Sequence, residues 1–163
     1  PNVRSGVGAR GLMQVMPATG REVAGDLEIG FSVARLSNDP IFNARIGTAY
    51  LDELLDVFDG NITMVSAGYN AGPSRPIRWM DQRGDPRRGE VDVVDWIEHI
   101  PFNETRNYVM RVAESLPVYR ARLSGEVEQI RLSRELVAMS GYDRQIVKGE
   151  LKRPRPRPVL LTD

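Results

Sequence analysis

The feature that most limits what this chain can become is its punctuation. Residues that start helices stand ahead of stretches with helical apolar spacing, and residues that stop helices stand behind them. Pro17 suits the first position of a helix running to about Leu27. Asp39-Pro40 supplies an N-cap and a first helical residue for a stretch carrying Phe42, Ile46, Ala49, Tyr50, Leu54, Val57 and Phe58, which Asp59-Gly60 ends. Asn61 caps a third helix through Met64 to Tyr69, and Gly72-Pro73 stops it. A short helix is expected from Pro73 to Met80, a polar loop over 81–91, and another short helix capped by Asp92 through Trp96 to Glu98. Pro101 breaks that one. Asn103 then caps a long helix with Tyr108, Val112, Leu116, Tyr119 and Leu123 on one stripe, and Pro117 should kink or split it. A last helix is expected from Glu126 to Met139. No stretch sustains the period-two alternation of a strand. The expected fold class is all-α, without internal repeats.

Composition narrows the function classes. The 163 residues suit one domain and a tail. Apolar residues make up 41% and charged residues 27%, which places the chain among soluble globular proteins. The formal net charge is zero, which argues against nucleic acid as a partner. Without cysteine there is no disulfide, thiolate metal site or cysteine nucleophile. His99 is the single histidine and cannot form a histidine metal cluster alone. No serine-nucleophile elbow accompanies it. No cofactor and no metal is expected. No run approaches the roughly 20 apolar residues of a membrane span. The chain opens on Pro1 rather than Met, so it is expected to be a processed or truncated product. The tail Lys152-Arg153-Pro154-Arg155-Pro156-Arg157-Pro158 favours extended polyproline geometry.

Four segments carry chemistry-bearing residues. In Gly8-Ala9-Arg10-Gly11-Leu12-Met13-Gln14-Val15-Met16-Pro17 the glycines allow close backbone approach, and Gln14 offers the donor and acceptor that sugar hydroxyls and acetamido groups require. The same residues also suit a turn that packs and caps the next helix. Ala67-Gly68-Tyr69-Asn70-Ala71-Gly72-Pro73 exposes a phenol and an amide at a helix end, or forms a C-cap with Gly72 left-handed and Asn70 satisfying carbonyls. In Ile100-Pro101-Phe102-Asn103-Glu104-Thr105-Arg106-Asn107-Tyr108-Val109, Glu104 complements the helix dipole and shares a helix face with Tyr108. Gly47-Thr48-Ala49-Tyr50-Leu51 reads as close helix packing.

In this order and at these spacings, the four segments resemble the soluble lytic transglycosylase (SLT) domain, which shares its fold with goose-type lysozyme. The resemblance covers residues 1 to about 118, so the expected organisation is an SLT domain over 1–118 and a helical extension with a Pro/Arg-rich tail over 119–163.

Several expectations follow from that resemblance. The reaction is cleavage of the β-1,4 bond between N-acetylmuramic acid and N-acetylglucosamine in peptidoglycan. A single glutamate first protonates the glycosidic oxygen and then takes the proton of the muramyl C6 hydroxyl. That hydroxyl closes on C1 to give a 1,6-anhydro product, with the substrate's acetamido group as transient nucleophile. In the family this glutamate opens a Glu-Ser-x-x-x-Pro stretch. Pro1 aligns with that Pro, so the acid is expected five residues before Pro1, on a first helix absent here, and the chain alone should be inactive. Glu22 and Glu104 are poor substitutes. By the same resemblance Gln14 binds the sugar or its acetamido group, Met16 lines the cleft floor, and Tyr69 and Asn70 orient the acid and hold substrate. Glu104 supports the cleft wall, and Ser5 helps hold the acetamido or lactyl region. Relatives usually have Ala at position 68 and an aliphatic residue at 76, where this chain has Gly68 and Pro76. The implied partner is the glycan strand of peptidoglycan and the implied location the periplasm or cell envelope. Partners in the cell-wall machinery are left open. A goose-lysozyme-type hydrolase and a non-enzymatic peptidoglycan-binding or scaffold module are the alternatives.

Overall fold

A computed structural model of the chain describes residues 3–126, 129 and 132–138. The described residues form helices and loops with no strand, only two isolated β-bridges. The helices are α1 (Pro17–Asp26), α2 (Val33–Asn38), α3 (Pro40–Val57), α4 (Ile62–Ala71), α5 (Ser74–Arg83), α6 (Val93–Glu98), α7 (Asn103–Ser124) and α8 (Leu132–Val137). A 3-10 turn spans Pro86–Arg88. The all-α expectation holds. The polyproline tail lies outside the described residues, as do 127, 128, 130, 131 and 139 of the expected 126–139 helix; Glu126 and Gln129 are not helical, and the helix described there is α8. The chain divides into two compact units, one within Pro1–Glu53 and one within Leu54–Lys148.

In the first unit, Val15, Val23, Ala24, Leu36, Phe42 and Ile46 form the core. Asp39 caps α3 as its sequence suggests, with Oδ1 accepting from Phe42 N at 3.0 Å. One turn on, Asn43 is 1% exposed. Its Oδ1 accepts from Met13 N at 2.8 Å, and its Nδ2 donates to Arg10 O at 2.9 Å and Leu36 O at 3.0 Å. A buried amide with these three bonds fastens the glycine-rich loop and the end of α2 to α3. The loop must come close for this. Gly11 has φ +72°, and a Cβ there would stand 2.4 Å from Asn43 Nδ2. Gly47 likewise leaves room for Met13, whose Cβ would lie 2.5 Å from an added methyl. Helix α2 was not expected. Its six residues bury only Leu36, too few to show a period, although the Ser32 cap accepting from Arg35 N at 3.1 Å is a readable signal.

In the second unit, α4 is buried from Thr63 to Gly68. Asn61 caps it as expected, accepting from Met64 N at 3.0 Å. Its amide also donates to Leu136 O at 3.0 Å and Ala138 O at 3.2 Å, and Thr63 Oγ1 donates to Leu136 O at 3.0 Å. The end of α8 is thus bound to the start of α4. At the other end of α4, a Cβ on Gly68 would meet the Phe58 ring at 2.8 Å. Trp79 and Trp96 pack edge to face at 6.2 Å between centroids, and Trp79 meets Phe102 the same way at 5.7 Å. Asp92 caps α6 through Val94 N at 2.8 Å. Asp85, 8% exposed, holds Arg87 by Oδ2 to Nη2 at 2.8 Å and Oδ1 to Nε at 3.0 Å. Burial alone would raise the Asp85 carboxyl, but the Arg87 hydrogen bonds and the charges of Arg87 and Arg88 outweigh it and hold it below its usual range.

Three local expectations change. The cap of α7 is Phe102, not Asn103, whose Oδ1 instead accepts from Arg106 Nη2 at 2.9 Å. Pro117 does not split α7, which runs unbroken to Ser124. The buried line of α7 is Thr105, Val109 and Ala113. The expected stripe beginning at Tyr108 is half-buried through Leu116, and Tyr119 and Leu123 are exposed.

Substituting Asn43→Ala leaves three backbone groups without their partner and should cost about 3 kcal/mol in urea unfolding. Asn103→Ala, at an exposed helix start, should change stability by less than about 0.5 kcal/mol.

Candidate functional site

Ser5, Gln14 and Met16 all belong to the loop of the first unit. That loop is closed by Arg10 N donating to Val15 O at 2.9 Å, Val15 N to Arg10 O at 3.0 Å, and Gly11 N to Val3 O at 3.0 Å. Ser5 Oγ accepts from Ala9 N at 3.0 Å, and Ser5 N donates to Ala9 O at 3.1 Å, so this hydroxyl braces the turn at Gly6-Val7-Gly8. Gln14 is half-buried and sits at φ 48°. Left-handed backbone at a residue with a Cβ costs on the order of 1 kcal/mol and persists only where neighbours enforce it. Here Gln14 N donates to Gly11 O at 3.2 Å and Nε2 donates to the same oxygen at 2.7 Å. The amide NH2 is therefore turned into its own loop, where Val3 O at 3.4 Å is a second acceptor. Met16 is the N-cap of α1 and 41% exposed, a thioether left in water at a helix start.

Tyr69, Asn70 and Glu104 belong to the second unit. Tyr69 and Asn70 are half-buried in the last turn of α4, which ends at Gly72 with N donating to Gly68 O at 2.8 Å. Gly72 has φ 87° and ψ 143°, so the ending is not the left-handed cap its sequence suggests. Asn70 does not satisfy the helix-end carbonyls. Its Oδ1 accepts from Thr105 Oγ1 at 2.6 Å, and Thr105 is 2% exposed. That bond fixes the amide: with the oxygen held by a buried hydroxyl, Nδ2 is the group left to donate elsewhere. Glu104, beside Thr105 in the first turn of α7, is exposed. Tyr108, four residues on, is half-buried, and burial pushes its hydroxyl above the ordinary range.

Two supporting residues escaped the sequence reading. Asn43 had no signal, because an Asn on a long amphipathic helix looks like a solvent residue. Thr105 was visible beside Glu104 but carried no role until its bond to Asn70 was located. Tyr50 of the fourth segment also gains meaning. Burial first, then the charges of Glu53 and Glu22, push its hydroxyl from the ordinary 10.0 up to about 12.

These helices define an all-α, lysozyme-like domain. The chain matches the Transglycosylase SLT domain family over residues 1–91 and belongs to that family. It is 41% identical over 121 residues to the soluble lytic murein transglycosylase of Escherichia coli, covering 74% of this chain and 18% of the relative. Among solved structures it is similar to the 70 kDa soluble lytic transglycosylase of Escherichia coli, with a TM-score of 0.68 at 39% identity over 78% of this chain and 20% of that one. It is also similar to the lytic transglycosylase Slt of Pseudomonas aeruginosa, solved as an inactive Glu-to-Gln mutant, with a TM-score of 0.64 at 40% identity over 76% of this chain and 19% of that one. The chain thus spans about a fifth of the length of these relatives.

Two measurements test the local chemistry. Gln14→Gly should be about 1 kcal/mol more stable than Gln14→Ala, because only glycine accepts the positive φ without strain. For Tyr50, the unfolded phenol ionises near 10 while the folded one keeps its proton to about 12. Its contribution is therefore complete below pH 10 and lost as pH climbs toward 12. Unfolding at pH 9, 10 and 11 should show a steeper alkaline loss for the native chain than for Tyr50→Phe; equal slopes would refute this.

Proposed function

We propose that this chain is the substrate-holding part of a lytic transglycosylase acting on peptidoglycan in the bacterial periplasm. The reaction is cleavage of the β-1,4 bond between N-acetylmuramic acid and N-acetylglucosamine with formation of 1,6-anhydro-N-acetylmuramic acid, and no cofactor enters it. The observation that carries this reading is membership of the SLT family, whose model matches residues 1–91.

The acid in this reading is a glutamate upstream of Pro1. A carboxyl that must stay protonated until it meets the glycosidic oxygen needs an apolar, partly dry setting. Glu22 and Glu104 are both exposed, which supports looking elsewhere for it. The other assignments follow from local geometry. Asn70, with its oxygen fixed by Thr105, donates from Nδ2 to the acid or to a substrate oxygen, and Tyr69 holds substrate beside it. Gln14 uses its amide to shape the loop and its carbonyl oxygen to receive an acetamido N–H. Met16 offers an apolar contact to the sugar ring, Ser5 keeps its turn in register for the acetamido or lactyl region, and Glu104 supports the wall from the start of α7. Residues 119–163 are proposed as an extension of the domain formed by 1–118.

The test compares this chain with one extended upstream through the glutamate, each incubated with peptidoglycan sacculi, by mass spectrometry of the released muropeptides. The extended chain should release anhydro products and the present chain none. Products heavier by one water would instead make the enzyme a goose-lysozyme-type hydrolase. Binding without release by either chain would make it a binding module. Strong anhydro release by the present chain alone would overturn the assignment of the acid.

A further inference from the structure

Two tryptophans and an arginine of the second unit form a cluster that the proposed reaction does not use. Trp79 on α5 and Trp96 on α6 are the two tryptophans of the chain, and they meet edge to face at 6.2 Å. Arg83, the last residue of α5, holds its guanidinium 5.9 Å from the centre of each ring, so the three groups make a nearly equilateral triangle. Trp96 is 1% exposed, and nothing among the described residues accepts from its indole Nε1. Arg83 is half-buried. Its Nη1 donates to His99 O at the end of α6, whereas its Nη2 is fully buried and finds no acceptor among the described residues. Nor does Arg83 make an ion pair with any of them.

A buried N–H without an acceptor carries the whole cost of its desolvation, and the cost is larger when the group is charged. Here two such donors stand together. A guanidinium and an indole have donors only, so neither can satisfy the other. One negatively charged acceptor answers both. An acceptor about 3 Å from each of two nitrogens can bridge a gap of up to about 6 Å, which the spacing of guanidinium and ring allows. Water accepts equally well, but it must place two hydrogens of its own and brings no charge to oppose the arginine. The aromatic lining narrows the choice further. A sulfate, phosphate or carboxylate would turn its remaining oxygens toward ring carbon, where they lose water and gain nothing. A monatomic, weakly hydrated anion has no such surplus.

We infer that Arg83 Nη2 and Trp96 Nε1 together bind a small monovalent anion of the size of chloride, which ties the end of α5 to α6. Trp79 also packs on Phe102, the residue that caps α7, so the ion steadies the packing on which the start of α7 rests.

The experiment replaces sodium gluconate by sodium chloride at constant ionic strength and follows this chain by tryptophan emission and by thermal unfolding. Gluconate is too large and too polar for the site and serves as the inert anion. Both fluorophores lie in the triangle, so emission should change with chloride along a saturating curve. Tm should rise by about 3 °C between gluconate and saturating chloride. Bromide should replace chloride in raising Tm, and the more strongly hydrated fluoride should not. Arg83→Met keeps the stem and loses the donors; Trp96→Phe keeps the ring packing and loses the N–H. Each should abolish the chloride-dependent rise. Equal emission and equal Tm of the native chain in the two salts would overturn the inference and leave the donors to water. A chloride response undiminished in either variant would overturn it too, because the ion would then bind elsewhere. The comparison of two salts on the native chain needs no substitution, so a variant that folds poorly does not blunt the result.

Discussion

The side chain of Asn43 is the interaction on which the first unit depends. Three stretches that make few bonds of their own meet on it: the loop at Arg10, the turn at Met13 and the end of α2 at Leu36. A buried primary amide has two donors and an oxygen, and here each donor is used once and the oxygen at least once. An apolar residue of similar size would fill the volume but leave those backbone groups unpaired, which costs more than the volume gains. The glycine at position 11 is the counterpart of that choice, because any side chain there would occupy the space of the amide. The shape of the loop, the left-handed Gln14 and the brace at Ser5 are all built outward from this anchor.

How much of this was readable from residues alone varied with the kind of interaction. Caps are local, so Asp39, Asn61 and Asp92 announced their helices correctly. The all-α class followed from the same punctuation. Interactions between distant residues were not readable. Asn61 was legible as a cap but not as the partner of Leu136, seventy-five residues away, and Asn70 gave no sign of Thr105. On α7 the apolar residues suggested a stripe through Tyr119 and Leu123, yet burial follows the smaller Thr105 and Ala113, because close approach to α4 favours small side chains over large apolar ones. Pro117 looked like a break. It is tolerated where α7 is emerging from the core and its neighbours Leu116 and Val118 are only partly covered or exposed.

The charged side chains serve packing as well as solubility. Only two of the 22 basic residues are lysine, and both lie outside the described residues. Arginine guanidinium groups lie over aromatic rings in both units: Arg35 over Phe42 at 4.1 Å, Arg75 over Phe102 at 4.6 Å, and Arg83 beside Trp79 and Trp96 at 5.9 Å each. A flat, weakly hydrated cation covers an aromatic face better than an ammonium does. Burial lowers the Arg83 guanidinium below its ordinary range, and its donation to His99 O gives that charge a backbone acceptor.

The bonds from Asn61 and Thr63 to Leu136 and Ala138 carry a consequence for where this fold can be cut. Motif spacing makes residues 1–118 look self-sufficient, with the remainder as an accessory. The hydrogen bonds nevertheless tie part of that extension to the start of α4. A protein stopped short of residue 136 would leave the first turn of α4, the helix that delivers Tyr69 and Asn70, with two buried side chains deprived of the carbonyls they bond, and would uncover the side of the core that Leu136 closes. The stretch after α7 is thus a keystone set late in the chain. Synthesis must reach it before the earlier helices have their full complement of bonds, and proteolysis there would be felt seventy residues upstream.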